Sequence, residues 1–274
     1  MLFPAELYDM FNSILACLAG ALCIVAQTPP VEISGYRFFE VTTGDSVNWK
    51  GVNYYPRANS GPYNENNLDF FHDEFRHVWE RDIEFFKELG VNAIRLYAVD
   101  PAKNHDSFMC ALQQLGIYVI VGLAANCIKC AITAPPAPYC YPSELKERGE
   151  KIINEFARYD NVLAFSGGNE INLFVDGLYP ESNAPCQKKF VRDMRAYIDS
   201  CEGMRSIPVG LVIADISREA NALYYNCQDD PDDPFGHAEW YGTNTYLTCD
   251  PVAGNAAYAF RERTSVGLTT RYRR

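Results

Sequence analysis

Apolar positions recur along this chain in two alternating patterns. Val47–Tyr54, Asn92–Tyr97, Ile117–Leu123, Val162–Ser166, Pro208–Ala214 and Ala238–Thr245 read as six short strands, the third apolar almost throughout. Between them, Asp73–Leu89, Asp106–Leu115, Ser143–Arg158, Lys188–Ser200 and Ser217–Tyr225 read as helices. In the first helix Phe75, Val78, Ile83, Phe86 and Leu89 fall at helical spacing, and Gly90 follows where a helix-ending glycine belongs. Continuously apolar strands separated by helices predict a parallel sheet covered on both faces. A barrel and a doubly wound sheet both satisfy that pattern. No Gly-x-Gly-x-x-Gly follows the first strand and no Walker-type loop occurs, so nucleotide binding has no support. Nothing divides the chain after residue 26, which predicts one domain over 27–274.

The polar residues cluster where these strands end. Asn53, Tyr54, Tyr55 and Arg57 follow the first strand, Tyr97 and Asp100 the second, and Asn169 and Glu170 the fourth. Asp215 follows the fifth, and Asn244 and Tyr246 the sixth. Parallel strands bring their C-terminal ends to one face, and in (β/α) barrels that face carries the active site. Asn169-Glu170 is the sharpest element. A strand-end carboxyl whose charged form is disfavoured can protonate a glycosidic oxygen. An adjacent asparagine can hydrogen-bond a sugar 2-hydroxyl, a contact that strengthens in an oxocarbenium-like transition state. The competing structural reading makes Asn169 a helix cap with Glu170 in the first turn.

Composition narrows the class. The formal net charge of −11 argues against a nucleic-acid partner and is compatible with a neutral polysaccharide. Most of the 18 Tyr and 16 Phe must be core, with a minority at strand ends available for stacking on sugar rings. Ile14–Ala26 is an uninterrupted apolar stretch, shorter than the roughly 20 residues a membrane span needs. It predicts a signal peptide over 1–26, with a buried N-terminal helix as the competing reading. Beyond it lie eight cysteines, Cys110, Cys127, Cys130, Cys140, Cys186, Cys201, Cys227 and Cys249, an even number suited to disulfides in an oxidising compartment. The rival, a zinc site at Cys127, Cys130 and Cys140, lacks a second Cys-x-x-Cys and a nearby histidine. No metal or cofactor is expected.

Several longer segments are more specific. They include Lys50-Gly-Val-Asn-Tyr-Tyr-Pro56, Arg81-Asp-Ile83, Phe86-Lys-Glu-Leu-Gly90, Ala93-Ile-Arg-Leu-Tyr-Ala-Val99 and Gly168-Asn-Glu170. Further along come Arg192-Asp-Met-Arg-Ala-Tyr-Ile198, Pro208-Val-Gly210, Ala214-Asp215, Glu239-Trp-Tyr-Gly242 with Thr245-Tyr246, and Arg261-Glu-Arg-Thr264. On these the chain resembles the β-1,3-glucanosyltransferases of glycoside hydrolase family seventy-two, wall-remodelling enzymes, in order from about Phe38 to Thr264. The resemblance implies an α/β fold of (β/α)8 TIM-barrel type, with about six of eight units present, and a retaining double displacement on β-1,3-glucan. It makes Glu170 the acid/base, Asn169 its neighbouring sugar ligand and Tyr97 a donor-site tyrosine. The strand-six tyrosine is Tyr246 or Tyr241. Tyr55 and Asp215 complete the candidate substrate contacts.

Three departures accompany it. Gly122-Leu-Ala-Ala-Asn126 stands where the family has an acidic residue, and Trp240-Tyr241-Gly242 where it has Trp-Cys-Gly. The sequence ends at Arg274, before the seventh strand that carries the family's nucleophile. Asp215 and Glu239 are the nearest other carboxylates. The expectation is therefore a secreted or cell-surface transglycosylase in an incomplete form. The alternatives are an inactive glucan-binding relative, a truncated product, or a plain hydrolase, since transfer and hydrolysis share a glycosyl-enzyme. Relatives of this kind often carry a lipid anchor that this sequence lacks.

Overall fold

The computed structural model of the chain describes residues 28–56, 68–173, 183–228 and 230–245. The presumed signal segment, Arg57, Tyr246 and the tail lie outside them. Six strands, β3 (Gly51–Tyr54), β4 (Ala93–Leu96), β5 (Tyr118–Gly122), β6 (Val162–Asn169), β7 (Val209–Ala214) and β8 (Tyr241–Asn244), form one sheet in chain order. Every pairing in it is parallel. The connections carry α1 (Arg76–Leu89), α2 (Asp106–Gln114), α3 (Ser143–Phe156), α4 (Ala184–Ser200) and α5 (Arg218–Asn226). Five consecutive βα units and a sixth strand of a (β/α) barrel are thus in place among the described residues, in the alternation of apolar strands and helices expected from sequence.

Side chains alternate along each strand and build two cores. Ile94 and Leu96 of β4, Val119 and Val121 of β5, and Val209, Leu211 and Ile213 of β7 join the helices in the larger one. Val212, Ala164 and Trp240 form the smaller one on the opposite face, with Tyr118 and Ile120 packed against it. Gly210 of β7 belongs to that face. A Cβ there would lie 2.1 Å from the Trp240 carbonyl oxygen, so only glycine lets the indole cross the strand.

An antiparallel hairpin, β1 (Val31–Ser34) and β2 (Arg37–Glu40), covers this second core, and the strand pattern above does not include it. Its strands are only four residues long and half exposed, so their period-2 signal is weak beside the barrel strands. Phe38 meets Trp49 edge-on at 5.2 Å, and Trp49 meets Tyr118 at 5.3 Å. The Tyr118 hydroxyl donates to the Pro29 carbonyl at 2.6 Å. Elsewhere the boundaries move little. Strand β6 runs on to Asn169 rather than stopping at Ser166, and α4 begins at Ala184, with Pro185 in its first turn, rather than at Lys188.

Three of the cysteines weighed as zinc ligands are spent on disulfides, Cys127–Cys130 and Cys140–Cys186. Cys110 is also disulfide-bonded, whereas Cys201 and Cys227 are free thiols, so the even count does not translate into complete pairing.

The helix side contains one buried charge cluster. His105 is fully buried, with Nε2 2.8 Å from Asp69 and Nδ1 3.7 Å from Glu155. Asp69 also accepts from the backbone N–H groups of Phe71 (2.8 Å) and Asp100 (2.6 Å), tying the loop before α1 to the end of β4. Burial penalises the imidazolium, but hydrogen bonds and charge from Asp69 and Glu155 more than offset this, and the pKa is pushed up to about 9. An unfolded histidine titrates near 6.5. The stabilisation is therefore fully present below about pH 6.5 and is lost as pH rises through about 9, an effect on the order of 3 kcal/mol. Denaturant unfolding at pH 6 and pH 9.5 should show this decline in the wild-type chain. His105→Gln should be less stable at pH 6 and should lose the pH-dependent component.

Candidate functional site

The site is built by an irregularity in β6. Phe165 and Ser166 pair with Val209 and Gly210, but Asn169 pairs with Val212. Three steps along β6 thus match two along β7, a bulge occupied by Gly167 and Gly168. The carbonyls it displaces are not left unpartnered. Gln187 of α4 donates to Gly167 at 3.1 Å, and Ser166 Oγ to Gly168 at 3.1 Å. A Cβ on Gly168 would lie 2.6 Å from Gln187 Oε1, so α4 packs directly on the bulge. Beyond it the Glu170 N–H donates to Val212 (2.9 Å), and Glu170 itself takes a left-handed backbone conformation, φ 52°. Asn172 then holds the following turn. Its amide donates to the Ala214 carbonyl (3.2 Å) and accepts from the Ala214 N–H (3.0 Å), imitating a strand pair.

Around Asn169 and Glu170 the neighbouring strands contribute three further side chains. Arg95 and Tyr97 lie on the face of β4 opposite the helix-side core. The Arg95 guanidinium sits over the Tyr97 ring at 4.6 Å, and its Nη1 donates to the Tyr97 hydroxyl at 2.9 Å. Its Nη2 donates to Asn169 Oδ1 at 3.1 Å. From the end of β8, Asn244 Nδ2 reaches Glu170 Oε1 at 2.7 Å and Asn169 Oδ1 at 3.3 Å. An arginine can only donate, so Asn169 must turn its oxygen toward Arg95. The NH2 of Asn169 is then the group left for a ligand. Glu170 and Tyr97 are both partly exposed, whereas Arg95 is 8% exposed.

The other sequence candidates lie apart from this cluster. The Tyr55 hydroxyl donates to the Leu68 carbonyl at 3.0 Å, and its ring meets Phe70 and Phe71 edge-on. Asp215, at the end of β7, takes both Nε (2.8 Å) and Nη2 (2.6 Å) of Arg218. Tyr241 is 3% exposed in the helix-side core, with its pKa pushed up to about 12 by burial. Tyr246 lies outside the described residues. Glu239 accepts from the Val209 N–H (2.9 Å) and sits 3.3 Å from Arg195, at the N-terminal end of β7 and so at the opposite end of the sheet from Glu170.

Backbone strain also gathers at this end. The described non-glycine residues with positive φ are Ala98, Lys129, Glu170 and Ser217. They follow β4, β5, β6 and β7 respectively. The segment after β5, which includes Gly122–Asn126, is tied down by Cys127–Cys130 and, through Cys140–Cys186, to the first turn of α4.

Comparison with known proteins decides the family. A sequence profile of glucanosyltransferases, glycoside hydrolase family 72, matches residues 21–266. The chain belongs to this family. Among its relatives, 1,3-beta-glucanosyltransferase PGA4 of Candida albicans is 35% identical over 245 residues, covering 88% of this chain and 50% of the relative. Another, gel1 of Aspergillus fumigatus, is 37% identical over 253 residues, covering 88% and 51%. The solved structure of Saccharomyces cerevisiae Gas2p in complex with laminaripentaose superposes with a TM-score of 0.71 at 31% identity, covering 87% of this chain and 51% of that one. The chain thus spans about half the length of the glucanosyltransferases it matches. The barrel expectation is met by this likeness and by the six parallel strands.

The sequence reading brings Asn169, Glu170 and Tyr97 together correctly but does not single out Arg95. The available signal is a charged residue interrupting an apolar strand between Ile94 and Leu96. Tyr97→Phe removes only the hydroxyl that Arg95 contacts, so thermal unfolding should change by no more than about 1 kcal/mol. If the proposed role of Tyr97 in sugar positioning holds, calorimetry should find laminari-oligosaccharide binding weakened in the same variant.

Proposed function

We propose that this glucanosyltransferase-family chain acts on β-1,3-glucan, with Glu170 as the acid/base of a retaining transglycosylation. The observation that carries the reading is the pairing of Glu170 with Asn169 at the C-terminal end of β6. There a bulge aims both side chains, and Arg95 fixes the Asn169 amide. Relatives named as 1,3-beta-glucanosyltransferases, and a neighbour solved with laminaripentaose, point to the same substrate class. In this scheme Glu170 protonates the leaving glycosidic oxygen while a second carboxylate, the one the family carries on its seventh strand, bonds to the anomeric carbon. The Glu170 carboxylate then takes the proton of the incoming sugar hydroxyl, whose oxygen displaces that second carboxylate. The Asn169 NH2 donates to the sugar 2-hydroxyl. The partly exposed Tyr97, polarised by Arg95, borders the same sugar, and Tyr55, Asp215 and Tyr246 remain candidate contacts, whereas Tyr241 is buried in the helix-side core and is not one. Water and a second glucan chain compete for one glycosyl-enzyme, so product analysis separates hydrolysis from transfer. The Cys127–Cys130 and Cys140–Cys186 disulfides favour an oxidising, extracytoplasmic location.

The test uses a full-length version that supplies the family's seventh-strand nucleophile, and Glu170→Gln in that version, with laminari-oligosaccharides, following product lengths by mass spectrometry. Transfer products longer than the substrate are expected from the full-length wild type. The variant should lose roughly 10²–10⁴-fold in rate while its affinity changes only a few fold. An equal rate in the variant would remove Glu170 from the mechanism, and release of shorter products alone would make the protein a hydrolase.

A further inference from the structure

We infer that Asn244 is a positioning residue for Glu170: its amide holds Oε1, so that the transferable proton resides on Oε2. This rests on the acid/base reading of Glu170 given above, and no sequence motif singles out Asn244 for the role. Three observations carry it. Asn244 Nδ2 lies 2.7 Å from Glu170 Oε1, the shortest of the contacts joining Arg95, Tyr97, Asn169, Glu170 and Asn244. Asn244 is the last residue of β8, in register with Ala214 of β7, so the sheet sets its height. Along β8 it shares a face with Gly242, whose Cβ position lies 3.0 Å from Val212, on the side of the strand away from the helices.

The direction of the bond follows from its surroundings. Glu170 as a carboxylate only accepts, and Asn169 already offers its oxygen to Arg95, so both groups facing Asn244 are acceptors. Asn244 must therefore present its NH2. If Glu170 carried its proton on Oε1, two hydrogens would point at each other and this bond would be forfeited. On Oε2 the proton costs nothing locally. A freely turning carboxyl would offer either oxygen, whereas this one presents a single, fixed proton donor. Arg95 and Tyr97 are the charged and titratable side chains beside the pair, and the guanidinium bonds described here go to Asn169 and Tyr97.

The closing experiment reads this pairing with and without catalysis. In the uniformly 15N-labelled chain, the Asn244 side-chain amide resonances should move with pH as the Glu170 carboxyl titrates. In Glu170→Gln that movement should vanish. Amide resonances indifferent to pH, or a response that survives in Glu170→Gln, would overturn the assignment. Where the wild type transfers laminari-oligosaccharides, Asn244→Ala should lower kcat by roughly 10–100-fold with KM within about three-fold. A KM effect without a kcat effect counts against positioning. A wild-type chain that transfers no glucan, yet whose Asn244 amide follows Glu170, refutes the proposed activity and leaves the pairing intact.

Discussion

Between Ser166 and Asn169, strand β6 advances three residues while its partner β7 advances two, and two glycines absorb the difference. A sheet tolerates such a mismatch only if the backbone groups it releases find other partners. Here Ser166 and Gln187 supply them, and Asn172 re-engages β7 immediately afterwards. Without the bulge, the alternation of the strand would carry Asn169 and Glu170 to different faces from those they occupy. The backbone position of Glu170 is thus set by hydrogen bonds made to the main chain, none of which touches its carboxyl.

Arg95 performs the complementary task for side chains. A guanidinium at 8% exposure is expensive to bury unless its donors are used. Its Nη1 and Nη2 donate to Tyr97 and Asn169, and the Tyr97 ring covers it at 4.6 Å. Because arginine only donates, it leaves Asn169 one orientation, and Asn169 and Glu170 together leave Asn244 one orientation. The polarity of the cluster therefore follows from a single residue whose hydrogen-bonding role cannot be reversed. The buried His105, set between Asp69 and Glu155, shows the same economy on the far side of the sheet. There the cation ties loops together.

The alternation of apolar strands and helices was enough to expect six parallel strands, and each was found within a few residues of its expected limits. What periodicity does not carry is the bulge. Gly167 and Gly168 read as the end of a strand, whereas the strand continues through them because Gln187 of α4 and Ser166 satisfy their carbonyls. The β1–β2 hairpin escaped for a related reason: its strands draw stability from Trp49 and Tyr118, which are distant in sequence. At the site, Asn169, Glu170 and Tyr97 were legible as strand-end polar residues. Tyr55, Asp215 and Tyr241 carry the same positional signal, but their polar groups turn to Leu68, Arg218 and the core. Sequence position fixes which end of the sheet a residue occupies and leaves open which neighbour claims it.

The four strained residues have an evolutionary consequence. A non-glycine side chain in the left-handed region is disfavoured by roughly 1–2 kcal/mol, and Ala98, Lys129, Glu170 and Ser217 all bear that burden on the loops that follow strands. At Ala98, Lys129 and Ser217 a change to glycine would relax the backbone without removing the Glu170 carboxyl. At Glu170 the same change would relax it by deleting the carboxyl. Selection for heat resistance alone would thus find its easiest gains on the loops at the C-terminal ends of the strands. Of the four positions, only Glu170 would surrender, along with its strain, the group on which the proposed acid/base role rests.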